Sequence, residues 1–266
     1  MIRFLGKYWL YGYVALAFLI LLIPIAYTIV FSFNDSVRTN IIWNGFTLRN
    51  WLTVCDRMDV CVAFGNSIIV AVVATVAATT MGTMIAIALV RYSFRFRQTT
   101  TLLIFLPMTT PDVVLGAGLA AYFLQAGVPK SMTTVIIAHT LFCISFVVVT
   151  VRARIATLDP VLEEAGRDLY GSPNQVFWRV TFPNLVPGIM AAALLSFALS
   201  FDDFIITNFN AGNLVTFPRY IYTAAARGIP AQANVIASAV FFLAIALVII
   251  VQVRATIKRG RLLHQN

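Results

Sequence analysis

The stretch VRARIATLDPVLEEAGRDLYGSPNQVFWRVTFPNLVP (151–187) is the polar interruption in an otherwise apolar chain, and its spacing predicts two short capped helices. Asp159 before Pro160 reads as an N-cap followed by proline at the first helical position, where the missing N–H has no partner to lose. Glu163 and Glu164 fall in the first turns, where carboxylates complement the helix dipole. The run closes at Tyr170-Gly171, with Gly171 expected to supply the left-handed residue that stops the helix. Ser172-Pro173-Asn174-Gln175 then restarts helical structure with a Ser-x-x-Gln capping box, and this second helix is expected to end at Val180, before Pro183. Phe177, Trp178 and Val180 give it an apolar component that needs a cover, from the chain's own helices or from a partner. Such a polar helix–turn–helix belongs outside a bilayer.

Everything around the loop belongs inside one. The chain has 266 residues, 60% hydrophobic and 11% charged, with mean hydropathy +0.88, whereas a soluble domain is about a quarter charged. A membrane helix needs roughly 20 apolar residues, and six runs qualify: 9–33, 63–90, 99–125, 133–151, 187–209 and 234–253. The expectation is an all-α polytopic membrane protein with six transmembrane helices, a single domain over 1–266 with the loop 152–187 inside it. The first run is too long for the apolar core of a signal peptide (about 7–15 residues) and no small-x-small site follows before Asn34, so it reads as a retained helix.

Lys and Arg placement orients the helices. With the N-terminus inside, thirteen of the nineteen fall on the inner face, from Arg3 and Lys7 through Arg91, Arg95, Arg97, Arg152, Arg154, Arg167 and Arg179 to Arg254, Lys258, Arg259 and Arg261. Arg38, Arg49, Arg57, Lys130, Arg219 and Arg227 are left outside. Both termini are then cytoplasmic. The net charge of +9 follows from this bias and does not call for nucleic acid, since no basic-aromatic patch accompanies it. In the first outer loop, Trp43 and Trp51 suit either interfacial anchoring or contact with an external partner. Cys55 and Cys61 are placed to pair if that face is oxidising, and Cys143 reads as a packing residue. The chain has no CxxC, HExxH or zinc-ligand cluster and no Walker A motif, so neither metal chemistry nor nucleotide hydrolysis is expected of it.

Two sets of residues carry a family resemblance. Glu164-Ala165-Gly166-Arg167-Asp168-Leu169-Tyr170 followed by Val180-Thr181-Phe182-Pro183 resembles the EAA loop of ABC importer permeases: Glu-Ala-Ala, a Gly three residues on, nine residues, then Ile-x-Leu-Pro. Gly166 stands where the pattern has its second Ala. Tyr170 stands where it has Gly, with Gly171 directly after, and Val180 and Phe182 replace Ile and Leu. The spacing to Pro183 is kept. LPMTTPDVV (106–114), HTLFCISFVVVTV (139–151) and LSFDDF (199–204) resemble the second permease subunit of spermidine/putrescine transporters. The resemblance implies a type I ABC importer permease in a bacterial cytoplasmic membrane. It also implies a second permease subunit, two copies of a cytoplasmic ATPase and an external substrate-binding protein as partners. ATP is then bound by the ATPase, and this chain, surrounded by lipid, binds no cofactor. Glu163, Glu164, Ala165, Gly166, Arg167, Asp168, Tyr170, Gly171 and Pro183 are the implied ATPase-coupling residues.

The acids inside the apolar runs are the candidate substrate pathway. On straight helices Asp112 lies about 20 Å from the inner face and Asp202 and Asp203 about 22 Å, a shared level beyond the midplane. An ionisable group there costs at least about 2.5 kcal/mol, so it is expected to face a cavity or a partner. Phe201 and Phe204 flank the acid pair, and Tyr122 lies further along the third run. Carboxylates for the ammonium ends and aromatic faces for the stem suit a flexible polycation. The alternative is that the acids cap or pair with neighbouring helices. His139 comes near the same level, either as a hydrogen-bonded packing residue or lining the path and orienting Asp112. Pro107 and Pro111 are expected to break the helix just before Asp112, freeing carbonyls to line a cavity. An ion-coupled transporter would leave the loop 152–187 without a role, and an embedded enzyme would need a catalytic constellation the chain lacks.

Overall fold

The computed structural model describes residues 2–36 and 42–263. Arg38 and Ile41, and the side chains of Arg3, Lys7, Lys258, Arg259 and Arg261 counted above, lie outside the described residues. The described chain is all-α: α1 Ile2–Phe31, α2 Arg49–Leu52, α3 Met58–Arg91, α4 Arg97–Thr109, α5 Asp112–Gln125, α6 Met132–Ala156, α7 Val161–Asp168, α8 Pro173–Val176, a π-helical turn Phe177–Thr181, α9 Phe182–Asp202, α10 Ile205–Asn210, α11 Phe217–Ala225 and α12 Ala231–Leu263. Five stretches are long and apolar enough to cross a membrane, and the bent pair α4–α5 makes a sixth if counted as one span.

The chain gathers into two compact units, Met1–Cys61 with Ile221–Asn266, and Val62–Tyr220. In the first, α1 packs beside α12. Asn50 Nδ2 donates to the carbonyls of Ser32 and Asn34, Trp51 Nε1 donates to Ser32 Oγ, and the Phe33 ring stacks on Phe46 and Trp51. Trp51 is thus a fixed part of the loop, while Trp43 is half exposed against Phe31. Cys55 and Cys61 form a disulfide.

In the second unit α6 is the central helix: 61% of its apolar window is buried, against 33% or less in the other four unbroken spans. Between helices in lipid, close packing rather than water exclusion drives association, and small residues allow it. Ala71, Ala74, Ala78, Gly82 and Ala86 form such a row on α3, and a Cβ at Gly82 would come within 2.6 Å of Val147 on α6. Leu89, Val147, Val148, Val151, Ala192 and Ile206 fill the core with the buried thiol Cys143.

The loop departs from its sequence reading at two points. Asp159 Oδ1 accepts from the Val161 amide and the Ser172–Gln175 box closes in both directions, as the caps predict. The left-handed residue, however, is Tyr170 (φ 59°), not Gly171. The Gly171 amide donates to the Gly166 carbonyl and the Tyr170 amide to that of Arg167, a Schellman motif that requires its left-handed residue at position 170. Gly171 is needed for a different reason: a Cβ there would lie 2.6 Å from the Gly166 carbonyl oxygen. A non-glycine left-handed residue costs roughly 1–2 kcal/mol. Tyr170→Gly therefore slows amide exchange at 170–171 by roughly fivefold for each ~1 kcal/mol gained, whereas Gly171→Ala opens the turn and speeds it; exchange mass spectrometry reads both.

The second departure is at Pro183, which does not end a helix. It lies in the first turn of α9, so helical structure runs from Pro173 to Asp202 through the π turn. The proline lacks the N–H that an unbroken α-ladder would use. In the π turn the Phe182 amide bonds the Phe177 carbonyl, and Asn184 Nδ2 donates to that of Val180.

Candidate functional site

Both acid positions stand at helix breaks rather than within straight spans, so the depth reckoning on continuous helices does not hold. Pro107 is tolerated inside α4, but at Thr110-Pro111 the chain turns by 109°. Thr110 is extended (ψ 132°), the conformation a following proline favours, and Asp112 opens α5. Likewise α9 stops at Asp202, Asp203 is extended (ψ 122°), and α10 starts at Ile205. Asn210 Nδ2 joins the two breaks by donating to the carbonyls of Gly116 on α5 and Ile206 on α10.

The two breaks frame one cavity of about 510 Å³, lined among others by Asp112, Asp202, Asp203, Phe142, Leu199 and Phe204. Asp112 and Asp202 are exposed to it, while the Asp203 side chain is buried and committed. Its carboxylate accepts from the amides of Ile206 (3.2 Å) and Thr207 (2.8 Å), satisfying two donors that the start of α10 leaves open. His139 on α6 is fully buried beside it. His139 Nε2 lies 3.1 Å from Asp203 Oδ2 and 2.9 Å from Thr207 Oγ1, and Nδ1 lies 2.7 Å from Ser200 Oγ. His139 therefore orients Asp203, not Asp112.

Two of the proposed aromatic contacts fall elsewhere. Tyr122 is exposed on α5 with its ring on Phe123, away from the cavity lining. Phe201 stacks on Phe197 and meets Phe64 of α3 edge-on, drawn away by ring packing. Phe142, whose only sequence signal is hydrophobicity, lines the cavity with Phe204 instead. Ser200 and Thr207 were also missed, because their role depends on a histidine more than 60 residues away. Exposed carboxylates beside aromatic rings can hold a ligand bearing ammonium groups.

The loop presents two faces. Glu163 and Gly166 on α7 turn toward the chain, Gly166 against Val176 and Val180. Glu164, Ala165, Arg167, Asp168, Leu169 and Tyr170 are exposed, Tyr170 almost completely. Pro183 is exposed at the start of α9.

Residues 78–259, from the middle of α3 through most of α12, match the family of binding-protein-dependent transport system inner membrane components. The chain belongs to this family. It is 32% identical over 245 residues to the spermidine/putrescine transport system permease protein PotC of Escherichia coli K12, covering 92% of each chain. It is 33% identical over 232 residues to the putrescine transport system permease protein PotI of the same strain, covering 84% of this chain and 82% of that one. A solved bacterial ABC transporter involved in the import of the acidic polysaccharide alginate shares the permease's fold. That likeness has TM-score 0.65 at 15% identity and covers 94% of this chain and 96% of the other. The permease is thus a multi-pass membrane protein and a transport component of its family.

Proposed function

We propose that the permease is one half of a heterodimeric ABC importer channel that carries polyamines inward, driven by ATP hydrolysed on a separate subunit. The observation that carries the substrate class is the cavity at the two helix breaks, where Asp112 and Asp202 are exposed together beside Phe142 and Phe204. Two free carboxylates match the terminal ammonium groups of a flexible aliphatic polycation. The names of the similar polyamine permeases support the same substrate class. Both termini lie in the cytoplasm of a bacterial cell, a second permease completes the channel, and an external binding protein delivers the polyamine. Exposed Glu164 on α7, with Leu169 and Tyr170 in the turn that follows it, docks one of two ATPase copies. ATP closure moves that helix and switches the spans between inward-facing and outward-facing states.

Glu164→Lys tests the docking. Its side chain is exposed to solvent, so the variant inserts normally. Uptake is expected to fall at least tenfold, and the ATPase either separates on purification or hydrolyses ATP without transport. Wild-type uptake together with wild-type co-purification would remove α7 as the docking element.

A further inference from the structure

Arg91 closes α3, Glu163 lies on the inward face of α7, and Thr181 closes the π-helical turn that leads into α9. These three side chains meet at one carboxylate oxygen. The Arg91 guanidinium is ion-paired with Glu163 Oε1, and the buried Thr181 hydroxyl donates to the same oxygen at 2.7 Å. Arg91 Nη2 also comes within 3.4 Å of Thr181 Oγ1, and the guanidinium carbon lies 5.8 Å from the centroid of Phe177, at the other end of the turn. An ion pair between two partly exposed side chains adds little stability by itself. What distinguishes this one is that it joins three separate elements at a single point.

The π turn is part of the arrangement. It holds one residue more than an α-turn, which offsets the two sides of the turn by roughly 100° relative to a continuous α-helix. That offset sets Thr181 against Glu163 while α8 remains beside α7. On α7 the neighbouring acids then differ: Glu164 is exposed, while Glu163 is partly buried and paired with Arg91 at the end of α3.

We propose that Arg91, Glu163 and Thr181 form a clamp that passes a displacement of α7 directly to the adjoining ends of α3 and α9. They are positioning residues for transport, and the proposal rests on the reading of α7 as the ATPase-docking helix. Docking and clamping use adjacent residues of the same short helix, so α7 moves as a rigid link and not as a hinged flap.

The test is charge reversal in the complete transporter, with the partner permease, ATPase and binding protein, reconstituted in liposomes. Labelled spermidine uptake is measured per ATP hydrolysed, and each preparation is normalised to inserted protein. Arg91→Glu and Glu163→Arg are each expected to lower uptake per ATP at least tenfold while the ATPase still co-purifies, and the double exchange to restore at least a third of the wild-type ratio. Thr181→Val, which removes one hydroxyl and keeps the volume, is expected to lower the ratio about threefold even if a reversed variant fails to insert. A Thr181→Val ratio within experimental error of wild type overturns the clamp, as does a double exchange no better than the worse single variant. If Glu164→Lys also leaves uptake and ATPase co-purification unchanged, the docking reading fails and takes the clamp with it; if Glu164→Lys uncouples and the clamp variants do not, only the clamp fails.

Discussion

Asp112→Asn and Asp202→Asn are each expected to lower polyamine uptake at least tenfold, with the variant proteins still assembling with their partners. Both substitutions keep the shape of the side chain and remove its charge. Neither residue is engaged as Asp203 is, so the change falls on the cavity and not on the fold. A charge-assisted hydrogen bond contributes about 1.5–3 kcal/mol, and 1.4 kcal/mol corresponds to a factor of ten. The competing role for Asp112 is stabilisation of the α5 N-terminus through the helix dipole, which contributes only about 0.3–1 kcal/mol. The two roles separate in the readout: a substrate ligand changes the concentration dependence of uptake, whereas a dipole partner changes thermal stability and leaves uptake alone. If both variants transport polyamine as wild type does, the acids are junction residues, and selection rests with the external binding protein.

The second large effect is on stability. Asp203→Ala is expected to destabilise the protein by about 1.5–5 kcal/mol, lowering its melting temperature in detergent. The α10 amides lose an acceptor, a cap-like loss of about 0.5–2 kcal/mol. Fully buried His139 loses a partner, for about 1–3 kcal/mol more. Asp203→Asn retains an oxygen for the amides and should lose no more than half as much. Equal melting temperatures for wild type and Asp203→Ala would contradict the assignment of Asp203 as the structural member of the acid pair. The same measurement on Asp202→Ala, whose side chain is exposed, is expected to show little change.

The features legible in the sequence are those that local chemistry decides. Five of the six apolar runs appear in membrane-length helices because length and composition suffice for that inference. The caps at Asp159 and Ser172 form because an N-cap needs only residues within three positions of it. The features that were missed are decided by contacts across the chain. Pro111 announces a break, but a 109° turn, as against a gentle kink, depends on what α5 packs against: α10, through Gly116 and Asn210. Tyr170 is left-handed despite its side chain because Gly171 is used to let the backbone approach Gly166, which local propensity cannot register. In the candidate site, Asp112 and Asp202 are legible because charge inside an apolar run is visible at once, and Phe204 because it adjoins the acid pair. The ring partners are not, since Phe142 and Phe201 look alike in sequence and differ only in which way the fold turns them. His139 was singled out as polar and intramembrane; its partner Asp203 stands at the break after α9, more than 60 residues away in the chain.

The central claim, that this permease moves polyamines at the expense of ATP, is tested most directly by uptake of labelled spermidine and putrescine into proteoliposomes containing the complete complex. The complex is oriented so that ATP acts on the ATPase, with the binding protein on the opposite face and no ion gradient imposed. Accumulation that requires ATP and the binding protein, and that is lost on omission of this chain, is the predicted result. Accumulation that follows an ion gradient without ATP, or ATP-driven uptake of an uncharged or anionic solute in place of polyamines, would contradict it.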